Sequence, residues 1–322
     1  MSEDLTATLH DLLVTGLRYH DVGEVEQARD AYLRILEIDP RHAQALDLAG
    51  VLCMQCGELE AARDFYDAAL EVEPENARFL THVGTLQLHQ GELAEAVDTF
   101  RTAADSDPTY AEPKFFLAIG LRGVGQRLDA VDSLDEALAE DPNNSLFLSW
   151  RGTLAWETGD FEAAIDYLER SLQADGTNLE AMSQLGSVLV DLEDFSMAER
   201  CFRAALDIAP NNAMSRGKLA DALARQGCRE EAGREFKVAL ETSSNDARLW
   251  ALYSVMLAGE GNSDGATKAV VKAREIDPNS IDVELALLET FTLLGATDSI
   301  ASSKERLREL APDDARVDAA VT

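Results

Sequence analysis

The dipeptide Asp39-Pro40, which closes the stretch Ile35-Leu36-Glu37-Ile38, carries the first of a series of evenly spaced prolines. The later members follow Pro40 at 34 residues or a multiple of 34: Pro74, Pro108, Pro142, Pro210, Pro278 and Pro312. Gly176 and Ser244 fill the two vacant places, and both residue types suit a loop. Self-similarity at this period is typical of stacked two-helix repeats. With the proline at position 32, nine repeats account for residues 9–314 of the 322.

Small and large residues alternate at fixed positions of the repeat. In repeats 1 to 8, position 8 is Gly, Ala or Ser, and position 20 is always Ala. A glycine inside a helix costs about 1 kcal/mol relative to alanine, so its recurrence predicts that a neighbouring helix approaches too closely for a larger side chain. Position 24 holds the large counterparts: Tyr32, Tyr66, Phe100, Leu134, Leu168, Phe202, Phe236 and Val270. The pattern predicts one small-against-large contact between the two helices of each repeat.

Two further positions predict where the helices begin and end. Position 15 is glycine in eight repeats, with Glu193 as the exception, and a glycine after a helical stretch marks the left-handed residue that ends it. The second helix must end before position 32, because the residue that precedes a proline is pushed out of the helical region. Position 34 offers side chains that can cap the next first helix: Asn76, Asn144, Asn178, Asn212 and Asp246.

These positions match a known repeat motif, W-x2-L-G-x2-Y…A-x3-F…A-x4-P. Repeat 2 carries it as Leu46, Ala49, Gly50, Cys53, Ala62, Tyr66, Ala69 and Pro74. Repeat 6 carries it as Met182, Leu185, Gly186, Leu189, Ala198, Phe202, Ala205 and Pro210. Over nearly its whole length the chain therefore resembles a tetratricopeptide repeat (TPR) protein. The resemblance implies an all-α, right-handed superhelical solenoid of about nine 34-residue repeats, whose first helices line a concave groove.

The same frame predicts the domain organisation. Residues 1–8 form an N-terminal extension and residues 9–280 form eight repeats. Residues 281–314 form a degenerate ninth repeat that caps the array, because terminal repeats are atypical. It departs from the motif at four signature positions, which hold Glu284, Leu288, Ile300 and Lys304. Residues 315–322 are expected to be a flexible tail.

Composition narrows the classes of partner and compartment. The chain has 28 basic and 60 acidic residues, a net charge of −32, which repels nucleic acid and anionic lipid. The sequence contains no run of about 18 apolar residues, which argues against a membrane-spanning helix. The acidic start lacks the basic region of a secretory signal, which favours a cytoplasmic protein. Cys53 and Cys56 share a C-x-x-C spacing within a predicted helix, but no second pair completes a metal site, and the four cysteines suit a reducing compartment.

The TPR resemblance assigns positions 2, 5, 6, 9, 12 and 13 of each first helix to the groove. In repeats 3 to 5 these positions are aromatic, partly basic and poor in carboxylates. The predicted partner-binding residues are Arg78, His82, Thr85, His89, Phe115, Phe116, Ile119, Arg122, Trp150, Thr153 and Trp156. Aromatic and arginine side chains dominate binding energy at protein interfaces. The alternative, that Trp150 and Trp156 pack against the following repeat, stays open at this stage.

The predicted function is a non-catalytic scaffold that binds a peptide segment or a partner protein, with no cofactor, no metal and no catalytic residue. Neither the Lys and Asn set of a carboxylate clamp nor an asparagine ladder at position 6 is present. One alternative is a self-assembly module, which would make the chain a homo-oligomer. Another is an accessory or targeting subunit of a separately encoded glycosyltransferase or sulfotransferase. Residues 23–52 are similar to the TPR arrays of bacterial O-linked N-acetylglucosamine transferase-type proteins.

Overall fold

A computed structural model describes residues 3–312 and 314–321 of the chain, which form nineteen α-helices and divide into two units. Unit 1 ends at Pro142 and unit 2 begins at Asn143. Unit 1 contains α1 (Glu3–Asp21), α2 (Val25–Ile38), α3 (Ala43–Gln55), α4 (Leu59–Val72), α5 (Ala77–Gln90), α6 (Leu93–Ser106), α7 (Ala111–Gly123) and α8 (Arg127–Glu140).

Unit 2 continues the same pattern of helix pairs. It contains α9 (Ser145–Glu157), α10 (Phe161–Ala174), α11 (Leu179–Asp191), α12 (Phe195–Ile208), α13 (Ala213–Arg225), α14 (Arg229–Thr242), α15 (Ala247–Gly259), α16 (Ser263–Ile276), α17 (Ile281–Leu294), α18 (Thr297–Leu310) and α19 (Ala315–Val321). From α1 to α17, each odd-numbered helix packs against the even-numbered helix that follows it. Successive odd-numbered helices also pack against each other from α3 to α7 in unit 1 and from α9 to α17 in unit 2. The predicted all-α repeat solenoid, with two helices in each 34-residue repeat, is confirmed.

The predicted small-against-large contact is present inside the repeats. A Cβ atom added at Gly50 would lie 2.4 Å from the ring of Tyr66, and one added at Gly186 would lie 2.5 Å from the ring of Phe202. Both rings are almost fully buried, so they cannot turn away into solvent. Close-packed interiors resist even one extra methyl group. The glycine at position 8 therefore sets how closely the two helices of these repeats approach.

We predict that Gly186→Ala destabilises the protein by about 1–2 kcal/mol, because the new methyl group overlaps the buried ring of Phe202. Gly233→Ala is the matched control. Gly233 lies within α14, and a Cβ atom added there would meet nothing within 4 Å. That variant should be stabilised by about 0.5–1 kcal/mol, since alanine is the better helix former. Urea unfolding midpoints that move in the same direction for both variants would contradict the packing argument.

The turn after each first helix adopts the predicted left-handed conformation. Eight glycines at position 15 have φ between 67° and 85°. Glu193, at the same position of repeat 6, also has a positive φ, 60°. A residue with a Cβ atom is strained in this region, by roughly 1–2 kcal/mol. Repeat 6 therefore keeps the turn geometry of its neighbours at the expense of local strain.

Replacing Glu193 with glycine should remove this strain. We expect Glu193→Gly to raise the free energy of unfolding by about 0.5–1 kcal/mol, the relief of strain exceeding the entropy that glycine adds to the unfolded chain. Gly227→Ala makes the reverse change at the same position of repeat 7 and should destabilise by a similar amount. Thermal or urea unfolding of the two variants measures both effects. A less stable Glu193→Gly protein would show that Glu193 contributes a contact that outweighs its backbone strain.

All five predicted caps at position 34 are confirmed: the side chains of Asn76, Asn144, Asn178, Asn212 and Asp246 accept hydrogen bonds from backbone N–H groups of the helix that follows. Asp314 stands at position 34 of repeat 9 and does the same, accepting from the Arg316 N–H at 2.9 Å. The helix that Asp314 caps is α19.

Helix α19 corrects the expectation of a flexible tail after residue 314. Its Val317 and Val321 are buried against Leu288 of α17. Lys304 donates to the Val321 carbonyl at 3.1 Å, and Leu288 replaces the usual small residue at position 8. Two of the departures of repeat 9 from the motif thus have a physical reason, because they hold a helix that begins where a tenth repeat would begin. At the other end α1 starts at Glu3, so the predicted N-terminal extension is helical from that residue.

Candidate partner-binding face

In each unit, we refer to positions 2, 5, 6, 9, 12 and 13 of the odd-numbered helices as the first-helix face. Side chains at these positions bond from one repeat to the next. In unit 1, His82 Nδ1 lies 2.6 Å from Asp47 Oδ1. In unit 2, Lys218 Nζ donates to the hydroxyls of Ser183 and Ser187 at 2.8 and 3.0 Å. Residues about 35 apart in sequence therefore meet, as the repeat frame predicts.

On unit 1, a buried carboxylate organises two of the predicted binding residues. Asp47 is fully buried, and a buried charge is stable only when it is paired. Its Oδ2 lies 3.4 Å from the Nε of Arg78, and its Oδ1 contacts His82. The His82 ring also lies against Tyr66, with centroids 5.8 Å apart. Arg78 and His82 are thus positioned by Asp47, which is not among the predicted binding residues.

Phe116 provides the aromatic surface of unit 1. Its ring is half-buried and stacks on the buried ring of Phe100, with centroids 5.7 Å apart and planes 16° from parallel. Phe115 meets it edge-on, with a centroid distance of 5.2 Å. Phe116 is therefore held from beneath by two other rings while part of its own ring stays open to solvent.

Phe115 itself is corrected as a predicted binding residue, because it is only 4% exposed. The cause is general, since position 5 is buried throughout repeats 2 to 8. Its occupants there are Asp47, Thr81, Phe115, Ser149, Ser183, Gly217 and Ala251. Position 5 therefore belongs to repeat packing in this chain rather than to an open groove.

The other predicted residues of repeats 3 and 4 lie on the face with different degrees of exposure. His89 and Arg122 are exposed, whereas Thr85 and Ile119 are half-buried. The Thr85 hydroxyl donates to the Thr81 carbonyl at 2.8 Å, so the methyl group of Thr85 is the part of the side chain left for a partner to contact. A binding role for these four residues stays a prediction.

On unit 2, both central tryptophans are half-buried, as is Thr153. The Trp156 indole N–H donates to Asp191 Oδ2 at 2.7 Å, and its ring packs beside the core of unit 2. The guanidinium carbon of Arg316 lies 5.0 Å from the ring centroid of Trp156. Trp150 and Trp156 are thus neither fully packed away nor fully open, and a binding role for them stays a prediction.

Arg151 occupies position 7, where most repeats place an apolar residue. Its guanidinium carbon lies 4.7 Å from the ring centroid of Tyr167 on α10. A cation over an aromatic face is attracted by the quadrupole of the ring. The ring of Tyr167 therefore gives this charged side chain a partner within its own repeat.

Three charged side chains on the first-helix face of unit 2 form one paired cluster. Arg225 donates from Nε to Asp221 Oδ2 at 2.9 Å and from Nη2 to Glu289 Oε2 at 2.7 Å. Asp221 is only 5% exposed, and burial raises the pKa of its carboxyl to about 6, although Arg225 acts in the opposite direction. These charges are paired, so this part of the face is not uniformly acidic.

The raised pKa of Asp221 predicts a pH-dependent stability. Between the ordinary value of 3.8 and about 6, the folded protein binds a proton that the unfolded chain has released. The resulting stabilisation is full below pH 3.8 and is lost as pH rises through about 6, with a slope of up to ~1.4 kcal/mol per pH unit. Relative to Asp221→Asn, the wild-type protein should therefore lose stability as pH rises from 4 to 6. A difference in urea unfolding free energy that stays constant over this range would contradict the assignment.

The described part of the chain contains no group of three or more His, Cys, Asp or Glu side chains placed to hold a metal ion. Cys53 is buried on α3 and Cys56 is exposed at its end, so the two thiols of the C-x-x-C stretch lie in different environments. Among the described helices, none combines the length and the apolar character needed to cross a bilayer.

Known proteins with the same repeat identify the family. The family model for the tetratricopeptide repeat matches residues 13–71, 66–111, 117–178 and 183–248, well over half of the chain. A comparison with curated proteins gives no match. The family model matches the general repeat and does not separate its subfamilies, so the similarity of residues 23–52 to glycosyltransferase-type arrays stays a prediction.

Solved structures show the same fold at low sequence identity. A crystal structure of the APC/C hetero-tetramer Cut9–Hcn1 matches with a TM-score of 0.65 and 19% identity over 87% of this chain, which spans only 52% of that chain. A tetratricopeptide repeat protein from Parabacteroides merdae matches with a TM-score of 0.57 and 17% identity, covering 88% of this chain and 99% of that one. Pseudomonas aeruginosa pilF matches with a TM-score of 0.54 and 20% identity, covering 66% and 96%. Together with its motif and its helix pairs, the match to the family model shows that the chain belongs to the tetratricopeptide repeat family.

Proposed function

We propose that the protein is a non-catalytic scaffold that binds a segment of a partner protein on its first-helix faces. The aromatic anchors are Phe116 on unit 1 and Trp150 and Trp156 on unit 2. The observation that carries this proposal is the half-buried state of all three side chains, each of which exposes part of a large ring on the first-helix faces. Rings of this kind supply much of the binding energy at protein interfaces.

The anchors are also held in place before binding. Phe116 rests on Phe100, and the Trp156 indole is fixed by its hydrogen bond to Asp191. A side chain that is already ordered loses little conformational entropy when a partner covers it. These contacts favour recognition by preformed anchors over binding by a flexible surface.

The first-helix face of unit 2 contains one pairing that resembles catalytic machinery. Lys218 with Ser183 is a combination that some hydrolases use for nucleophilic attack. Ser183 is 8% exposed at the buried position 5, where a substrate cannot reach its hydroxyl. This pair is better explained as a polar bridge between α11 and α13, which supports the non-catalytic proposal.

We predict that Trp150→Ala lowers affinity for the natural partner by about thirtyfold, or ~2 kcal/mol, while the fold is retained. Phe116→Ala should weaken binding by a similar factor. The partner is first captured from native lysate and identified by mass spectrometry. Its affinity for each purified variant is then measured by calorimetry, with circular dichroism to confirm folding.

Leu128→Ala is the matched control. Leu128 is a large apolar side chain that is 76% exposed, but it lies on α8, an even-numbered helix away from the proposed face. Its truncation should leave affinity unchanged. Wild-type affinity in a folded Trp150→Ala protein, or a loss confined to Leu128→Ala, would reject the first-helix face as the binding surface.

A further inference from the structure

The guanidinium of Arg316 occupies a defined site on unit 2. One side of the site is the indole of Trp156, whose ring centroid lies 5.0 Å from the guanidinium carbon. Arg316 Nη1 lies 3.2 Å from Asp282 Oδ1, so the side chain connects α19 with both α9 and α17. The site therefore combines an aromatic face with an acidic wall.

The acidic wall fits a guanidinium better than a lysine ammonium. Asp314 accepts from Arg316 Nε at 3.2 Å and from Nη2 at 2.8 Å, which is the two-pronged arrangement that a planar guanidinium makes with a carboxylate. Glu157, which is only 2% exposed, adds a third negative charge that acts on Arg316. Arginine also stacks on aromatic rings and is more weakly hydrated than lysine.

We propose that this site is a receptor for an arginine of a partner protein, and that Arg316 is its internal occupant in the unbound chain. The inference rests on the proposed scaffold function and adds the chemistry of the partner, a segment that carries both an arginine and an apolar residue. The arginine enters between Trp156 and Asp282, and the apolar residue covers Trp150 on the same helix. A net charge of −32 attracts such a basic segment over a distance.

The site can be vacated without unfolding α19. The helix is held by the buried side chains of Val317 and Val321 and by the bonds of Lys304 and Arg308 to the Val321 carbonyl. None of these contacts involves the Arg316 side chain, which can leave by rotation of its own bonds. As an intramolecular competitor, Arg316 acts at a high effective concentration and lowers the apparent affinity for an incoming arginine.

The test compares L-argininamide with L-lysinamide as probes of the site. Binding is followed through the Trp156 indole N–H signal in ¹H–¹⁵N spectra, which is assigned by its loss in Trp156→Phe. In Arg316→Ala, we expect argininamide to bind about fivefold more tightly than lysinamide, because the two probes share a charge but only one stacks. The wild-type protein should need about tenfold more argininamide for the same shift.

Equal binding of the two amides to Arg316→Ala would overturn the proposal, as would equal argininamide binding by the wild type and the variant. If Arg316→Ala releases α19, seen as lost amide protection at Val317, then Arg316→Lys gives the same comparison with a cation retained. Argininamide must then displace that lysine side chain more effectively than lysinamide does.

A final pair of measurements separates this inference from the proposed function. The captured partner should bind Arg316→Ala about tenfold more tightly than the wild type. If Trp150→Ala weakens that partner while Arg316→Ala has no effect, the scaffold stands and the arginine receptor fails. A wild-type dimer in light scattering that dissociates on Arg316→Ala would place a second copy of the chain in the site and would also overturn the proposal.

Discussion

A glycine that faces a buried ring fixes the distance between the two helices of a repeat, and the rest of each unit depends on that distance. At Gly50 and Gly186 there is no room for one further carbon atom. One side of each odd-numbered helix packs closely against the even-numbered helix of its own repeat, and a second side packs against the neighbouring repeat. The first-helix face lies on the side that remains. The proposed partner binds this first-helix face. Packing and function are therefore linked through the small residue at position 8.

Charged side chains on the first-helix face are paired because some of them are buried, whatever the overall composition of the chain. Asp47 and Asp221 are buried acids, and each is paired with an arginine of a later repeat or of its own helix. Replacing the arginine of such a pair leaves the acid as an uncompensated buried charge, which is far more damaging than losing a solvated surface pair. The net charge of −32 acts on a partner over a long range, whereas pairs such as Arg225 with Asp221 and Glu289 act at short range on the face of unit 2. The net charge would attract a basic partner, and the local charge pairs would select among such partners.

The sequence predicted the repeat frame, the helix caps and the left-handed turns because each depends on one residue type at one position. It could not predict which positions the next repeat would cover, since that depends on how neighbouring repeats stack. Phe115 illustrates the difference, because position 5 has the right spacing for a groove but lies in the packing. Asp47 and Asp191 were missed because their roles are defined only by contacts across repeats. The helix at 315–321 had a readable signal in Asp314 at position 34, followed by the apolar Val317 and Val321.

Hydroxyl-radical footprinting of the scaffold with its captured partner tests the central claim most directly, because it reports side-chain cover at many positions in one experiment. The account requires protection of Phe116, Trp150 and Trp156 on the odd-numbered helices. Leu128 and Val238, exposed apolar side chains on even-numbered helices, should be oxidised at the same rate in the free and bound protein. Protection of Leu128 and Val238, with the three aromatic side chains unchanged, would contradict the account.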